Sequence, residues 1–92
     1  MTDNNTIRAR VTVLPRTEIL DPQGKAIGDA LARLGYDQVR EVRAGKSFDI
    51  VLDGVDAARA AELLEEMGER LLSNPIVEDF TVEVEGDGGK GA

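Results

Sequence analysis

Residues 7–35 read IRARVTVLPRTEILDPQGKAIGDALARLG, and a change of period inside them decides the fold. Ile7, Ala9, Val11 and Val13 alternate with Arg8, Arg10 and Thr12, the two-residue period of a strand with one buried face. Pro15 ends that pattern, and Arg16 to Leu20 form a connecting loop. Asp21-Pro22 then starts a helix: the Asp21 side chain caps orphan N–H groups, and proline at the first helical position gives up a donor that had no partner. Ala26, Ile27, Ala30, Leu31 and Leu34 recur at helical spacing, and Gly35 ends the element in a left-handed turn.

Outward from this stretch, Gln38 to Ala44 predicts a second strand, although Val39 and Val42 have opposite parity and require a bulge. Gly45-Lys46 reads as a hairpin turn into a third strand, Ser47 to Leu52, with Phe48, Ile50 and Leu52 inward. Asp56 caps a second helix with the stripe Ala57, Ala60, Ala61, Leu64, Met67, Leu71 and Leu72, stopped by Asn74-Pro75. Ile76 to about Glu85 forms the last strand, with Phe80, Val82 and Val84 inward. The expected domain covers 7–85, between a polar, frayed start (1–6) and a flexible glycine-rich tail (86–92).

The order β-α-β-β-α-β predicts one α+β domain, a ferredoxin-like sandwich of two split βαβ units. Both helices cover one face of a four-stranded antiparallel sheet, and the other face stays open. With the first strand between the third and fourth, Arg8 and Arg10 face Asp49 on one side and Glu83 on the other.

Composition narrows function. The chain has 92 residues, one domain's worth, and a core that pairing would help. Without cysteine there is no disulfide framework, thiolate metal site or thiol nucleophile; without histidine, no general base of ordinary pKa near neutrality. No apolar run approaches the roughly 20 residues of a membrane span, and no secretory signal pattern opens the sequence, so a cytoplasmic location is expected. Net charge is −7, divided unevenly: residues 1–46 carry eight Lys/Arg against six Asp/Glu, and 47–92 carry three against twelve. That distribution, with three aromatic residues in all, argues against nucleic acid.

Individual motifs carry little chemistry. Gly24 and Gly28 lie within a helix and not in a phosphate loop. Glu62, Glu65, Glu66 and Glu69 read as a solvated helix face. No catalytic, cofactor-binding or metal-ligating residue is expected. The loop Pro15–Gln23 and the Gly45-Lys46 turn look suited to presentation to a partner.

Two segments, LDPQGKAIGDALARLGYDQVREVRAGKSFDIVLDG (20–54) and LLSNPIVEDFTVEV (71–84), resemble the PurS family. That family supplies the small subunit of phosphoribosylformylglycinamidine synthase. The resemblance runs from Ile7 to Val84 and rests on the order of Leu20-Asp21-Pro22-Gln23-Gly24, Leu34-Gly35-Tyr36, Val42-Arg43, Gly45-Lys46, Leu71-Leu72 and Asn74-Pro75. Its departures lie at the two ends of the chain.

The resemblance implies a non-catalytic subunit, used as a dimer or tetramer, that joins a glutaminase subunit to a large synthetase subunit. Glutamine-derived ammonia then reaches formylglycinamide ribonucleotide, activated by ATP and Mg in the synthetase, in purine biosynthesis. Candidate partner-binding residues are Arg8, Arg10, Arg16, Asp21, Gln23, Gly45 and Lys46. Two other uses of this element order fit less well. An ACT-like regulatory module needs a glycine-lined pocket where Pro15-Arg16-Thr17-Glu18 stands. An acylphosphatase-like enzyme needs a glycine-rich cradle beside Arg16 and a water-orienting asparagine, and Asn74 sits on the wrong element.

Overall fold

A computed structural model of the chain describes residues 6–87. The expectations for a frayed start and a flexible tail fall mostly outside that range. The elements run β1 (Ile7–Pro15), α1 (Pro22–Arg33), β2 (Lys46–Leu52), α2 (Ala57–Met67) and β3 (Glu78–Asp87), with a π-turn at Gly68–Leu72 between the last two.

β1 is the centre of an antiparallel sheet ordered β2-β1-β3. Its alternation does what the sequence predicts: Ile7, Ala9, Val11 and Val13 are buried and Arg8 and Arg10 exposed. The register sets Arg10 opposite Asp49 on β2 and opposite Glu83 on β3. On the apolar face, Ala60 and Leu64 of α2 close the core over β1 and β3, with Phe80, Val82 and Val84 against them. Asp56 caps α2 by accepting the Arg59 N–H at 2.9 Å.

α2 is shorter than its apolar stripe. Gly68 is buried against the Phe80 ring, and the Ser73 N–H donates five residues back to the Gly68 carbonyl at 2.9 Å. One turn is widened there, as π-turns do within helices. An Asn74 side-chain turn, accepting the Ile76 N–H at 3.2 Å, then delays β3 to Glu78 instead of Ile76.

The first half departs further from expectation. Gln38–Ala44 forms no strand, so this sheet has three strands and the Gly45-Lys46 hairpin is absent. Instead 38–44 returns as an irregular strap along α1, with Val42 beside Gly28. A competing bond accompanies this course: the Ala44 N–H donates to the Asp21 carboxylate at 2.9 Å, holding the strap to the helix start. α1 does not share the sheet face with α2; only α2 packs there to a substantial extent. The molecule is therefore long, 51 × 30 × 14 Å, with a radius of gyration of 16.9 Å. A compact domain of this length has one of about 12 Å. α1 and the strap form an arm projecting from a body made of the sheet and α2.

Candidate functional site

Two surfaces gather the residues singled out in the sequence. The first is the root of the arm, where two chain crossings, Pro15–Asp21 and Arg43–Lys46, meet. Asp21 stands between them. Its carboxylate accepts the Gly24 N–H at 3.0 Å, capping α1, and the Ala44 N–H at 2.9 Å, closing the strap. These bonds, with Arg43 nearby, hold the Asp21 carboxyl below its ordinary pKa. Gly24 is required here, since a Cβ at this position would run into the Val42 carbonyl and the Asp21 carboxylate.

The second crossing is fixed from both sides. Arg43 Nη2 donates to the Pro15 carbonyl at 2.8 Å. Gly45 lies so close to the Val13 carbonyl and Leu14 that no side chain fits. Arg16 ties the root to the body. Its N–H donates to the Val77 carbonyl at 2.9 Å and its Nη2 to the Pro75 carbonyl at 2.7 Å. Its Nε lies 3.6 Å from Asp79 Oδ1, an ion pair too long for a hydrogen bond. An open groove of about 430 Å³ runs between α1 and the strap, walled by Arg16, Asp21, Gly28, Arg40 and Arg43 among others. Gln23 is exposed on the first turn of α1, and Lys46 is exposed at the start of β2.

The second surface is the open sheet face. Arg10 Nε donates to Asp49 Oδ1 at 2.8 Å. That bond, followed by the Asp49 charge and more weakly those of Glu83 and Glu85, raises the Arg10 pKa and keeps the guanidinium charged. Arg8 is exposed beside Val51, its register partner, which is 53% exposed. The structure thus gathers Arg16, Asp21 and Gly45 at one root, and Arg8 and Arg10 on a separate face. Lys46 borders the first group, and Gln23 stands apart on the arm.

Sequence reasoning missed Arg43 and Ala44 as parts of the root, having read both as strand residues. The available signal was the mixed parity of Val39 and Val42, which a helix-hugging strap satisfies without a bulge. Among the described residues no cluster of His, Cys, Asp and Glu is arranged to hold a metal ion. None of their helices is long and apolar enough to cross a membrane.

The family model for PurS, phosphoribosylformylglycinamidine (FGAM) synthase, matches residues 8–86. The chain belongs to the PurS family. The PurS subunit of phosphoribosylformylglycinamidine synthase from Mycobacterium leprae is 46% identical over 76 residues, covering 82% of this chain and 91% of that relative. PurS from Methanocaldococcus jannaschii, one of the subunits of formylglycinamide ribonucleotide amidotransferase in purine biosynthesis, superposes with a TM-score of 0.79. It is 33% identical, and the match covers 89% of this chain and 99% of that one. A chain of the PurLQS structure from Thermotoga maritima superposes equally well, with a TM-score of 0.79 at 28% identity over 86% of this chain and 96% of that one. The PurS match takes in both surfaces, from Arg8 on β1 through the arm root to β3. PurS is a subunit of FGAM synthase, and both surfaces of this chain are to be read in that setting.

Proposed function

We propose that this chain is the bridging subunit of a glutamine-dependent FGAM synthase, joining a glutaminase subunit to a synthetase subunit and contributing position, not bond chemistry. The observation that carries the reading is the family match across both surfaces, together with the likeness to a chain of the PurLQS structure. Ammonia released into water near neutral pH becomes mostly ammonium, which has no lone pair to attack with. Holding the two active sites in one water-excluding assembly prevents that loss and raises the effective concentration of ammonia at the acceptor. ATP and Mg belong to the synthetase subunit in this scheme, and the assembly works in the cytoplasm.

Partner contacts are assigned to the arm root, Arg16, Asp21, Gln23, Gly45 and Lys46, and to the open face at Arg8 and Arg10. The root suits docking because its backbone is pinned by hydrogen bonds from both crossings, so little ordering entropy opposes binding. The open face suits docking because its charges are fixed in register and flank the exposed Val51. The chain itself works as a dimer or tetramer, in which the four-stranded ferredoxin-like layout is completed. Sedimentation of the glutaminase and synthetase subunits, mixed with and without this chain, tests the reading. A fast-sedimenting species containing all three is expected only when the chain is present. Assembly of the two larger subunits to the same extent without it would refute the bridging role.

A further inference from the structure

We propose that the outer edge of β3 takes up a basic, extended segment of a partner subunit by strand addition. The inference rests on the bridging reading above and deepens it, naming a docking surface on the body and the chemistry of what docks there.

β3 is an outermost strand of the sheet ordered β2-β1-β3, so among the described residues its far side has no strand beside it. The Arg16 N–H donates to the Val77 carbonyl at 2.9 Å, and bonded pairs alternate along an antiparallel ladder. Leu14–Asp79, Thr12–Thr81 and Arg10–Glu83 are therefore the bonded pairs of β1 with β3. The N–H and C=O groups of Phe80, Val82 and Val84 point the other way, to the outer edge. Glu78 precedes them in that series, but its N–H already donates to the Asn74 carbonyl at 2.8 Å. The open row thus starts at Phe80 and keeps its register to Val84, with the irregularity of β3 lying beyond, where β1 runs from Ala9 to Ile7. Such a row suffices for an added strand of about five residues.

Charge selects what can pair. From Glu78 to Glu85, β3 carries Glu78, Asp79, Glu83 and Glu85 and no Lys or Arg. Beside its start lies an open groove of about 370 Å³, walled by Glu65 of α2, Glu69 of the π-turn, Glu78, Asp79, Phe80 and Arg16 among others, four carboxylates against one guanidinium. Arg16 is already engaged, its Nη2 donating to the Pro75 carbonyl. Among the described residues Glu65, Glu69, Glu83 and Glu85 make no ion pair. Carboxylates thus flank the edge from the sheet's open face, through Asp79 and Glu83, and from the side that α2 covers, through Glu65 and Glu69. An added strand projects side chains to both faces, so its lysines and arginines meet a carboxylate on either. The β3 edge of a second copy has the same sign and is repelled.

Charged residues also guard sheet edges against chance pairing, but a guard against every strand adds a charge turned into the core, a proline or a bulge within the row. Phe80, Val82 and Val84 are apolar and in register. This edge turns away acidic strands and admits basic ones.

The chain, alone and assembled with the glutaminase and synthetase subunits, is exchanged in deuterated water and read by mass spectrometry with fragmentation that resolves single amides. Phe80, Val82 and Val84 are expected to exchange roughly tenfold or more slowly in the assembly, with Asp79 and Thr81, already bonded to β1, changing less. Glu65→Lys combined with Glu69→Lys, both exposed, is expected to weaken assembly roughly tenfold or more, and Glu66→Lys, exposed on α2 outside the groove, to leave it unchanged. Larger subunits that sediment with the chain while the three amides exchange as fast as before overturn the proposal and leave the bridging reading standing. Unchanged assembly by the Glu65 and Glu69 variant does the same. Full protection of the three amides in the chain alone assigns the edge to a second copy and also overturns it. Larger subunits that never sediment with the chain overturn the bridging reading, and the proposal with it.

Discussion

The Asp21 carboxylate reaches across 23 residues of sequence to accept the Ala44 N–H at 2.9 Å, while also capping α1 through the Gly24 N–H. One side chain thereby starts a helix and ties the returning strap to it. Asp21→Asn keeps the size but leaves one acceptor oxygen in place of two, so one of the two N–H groups loses its partner. The expected outcome is a lower melting temperature and faster proteolytic cleavage within 36–44, with the cleavage pattern of the body unchanged. Limited proteolysis followed by mass spectrometry checks it.

Asp21 also sets a pH dependence. Its carboxyl is depressed in the folded chain, so its contribution to stability is complete above the unfolded value of about 3.9 and is lost as pH falls through the lower folded value. The gap between the melting curves of the parent and the Asp21→Asn variant is expected to be full near neutral pH and to close as pH falls through the depressed folded value. A gap that stays constant down to the lowest pH would contradict the assignment.

Gly24→Ala places a methyl group against the Val42 carbonyl and the Asp21 carboxylate. The strap must shift to admit it, at a cost of about 1–3 kcal/mol typical of overpacking. Ala is intrinsically a better helix former than Gly by roughly 1 kcal/mol, so a net loss of stability by denaturant titration reports the close approach directly.

Leu64 is the fully buried centre of the contact between α2 and the sheet. Leu64→Ala is expected to cost about 2–5 kcal/mol, a large share of a small domain's stability. Urea unfolding, read as a midpoint shift at constant slope, checks it.

Arg10→Ala removes an exposed ion pair with Asp49. Such pairs contribute little to folding, so the melting temperature should hold. Affinity for the partner subunits should fall, and fall less in high salt, where the charge is already screened. Arg16→Ala should likewise weaken assembly while the fold persists, although its bond to the Pro75 carbonyl is lost.

What the sequence disclosed follows the range of the forces involved. β1, β2, β3 and both helix starts were legible because burial on one face and capping by Asp21 and Asp56 are local patterns. The position of β1 between β2 and β3, and the pairing of Arg10 with Asp49 and Glu83, followed from the element order. The strap was not legible. Gln38–Ala44 has the composition of a strand, and the bonds that hold it along α1, from Ala44 to Asp21 and from Arg43 to Pro15, come from residues distant in sequence. The apolar stripe of α1 is legible in period, but the structure leaves Ile27 and Leu34 exposed, because periodicity alone does not say what a face packs against. At the arm root, Arg16, Asp21 and Gly45 were named from the sequence, and Arg43 emerged only when its bond to Pro15 closed the second crossing.

The bridging role is tested most directly by the turnover of the glutaminase and synthetase subunits with and without this chain, with glutamine and then ammonia as nitrogen donor. The account predicts that glutamine-driven product formation depends on the chain while ammonia-driven formation barely changes. Equal glutamine-driven rates in its absence would contradict it.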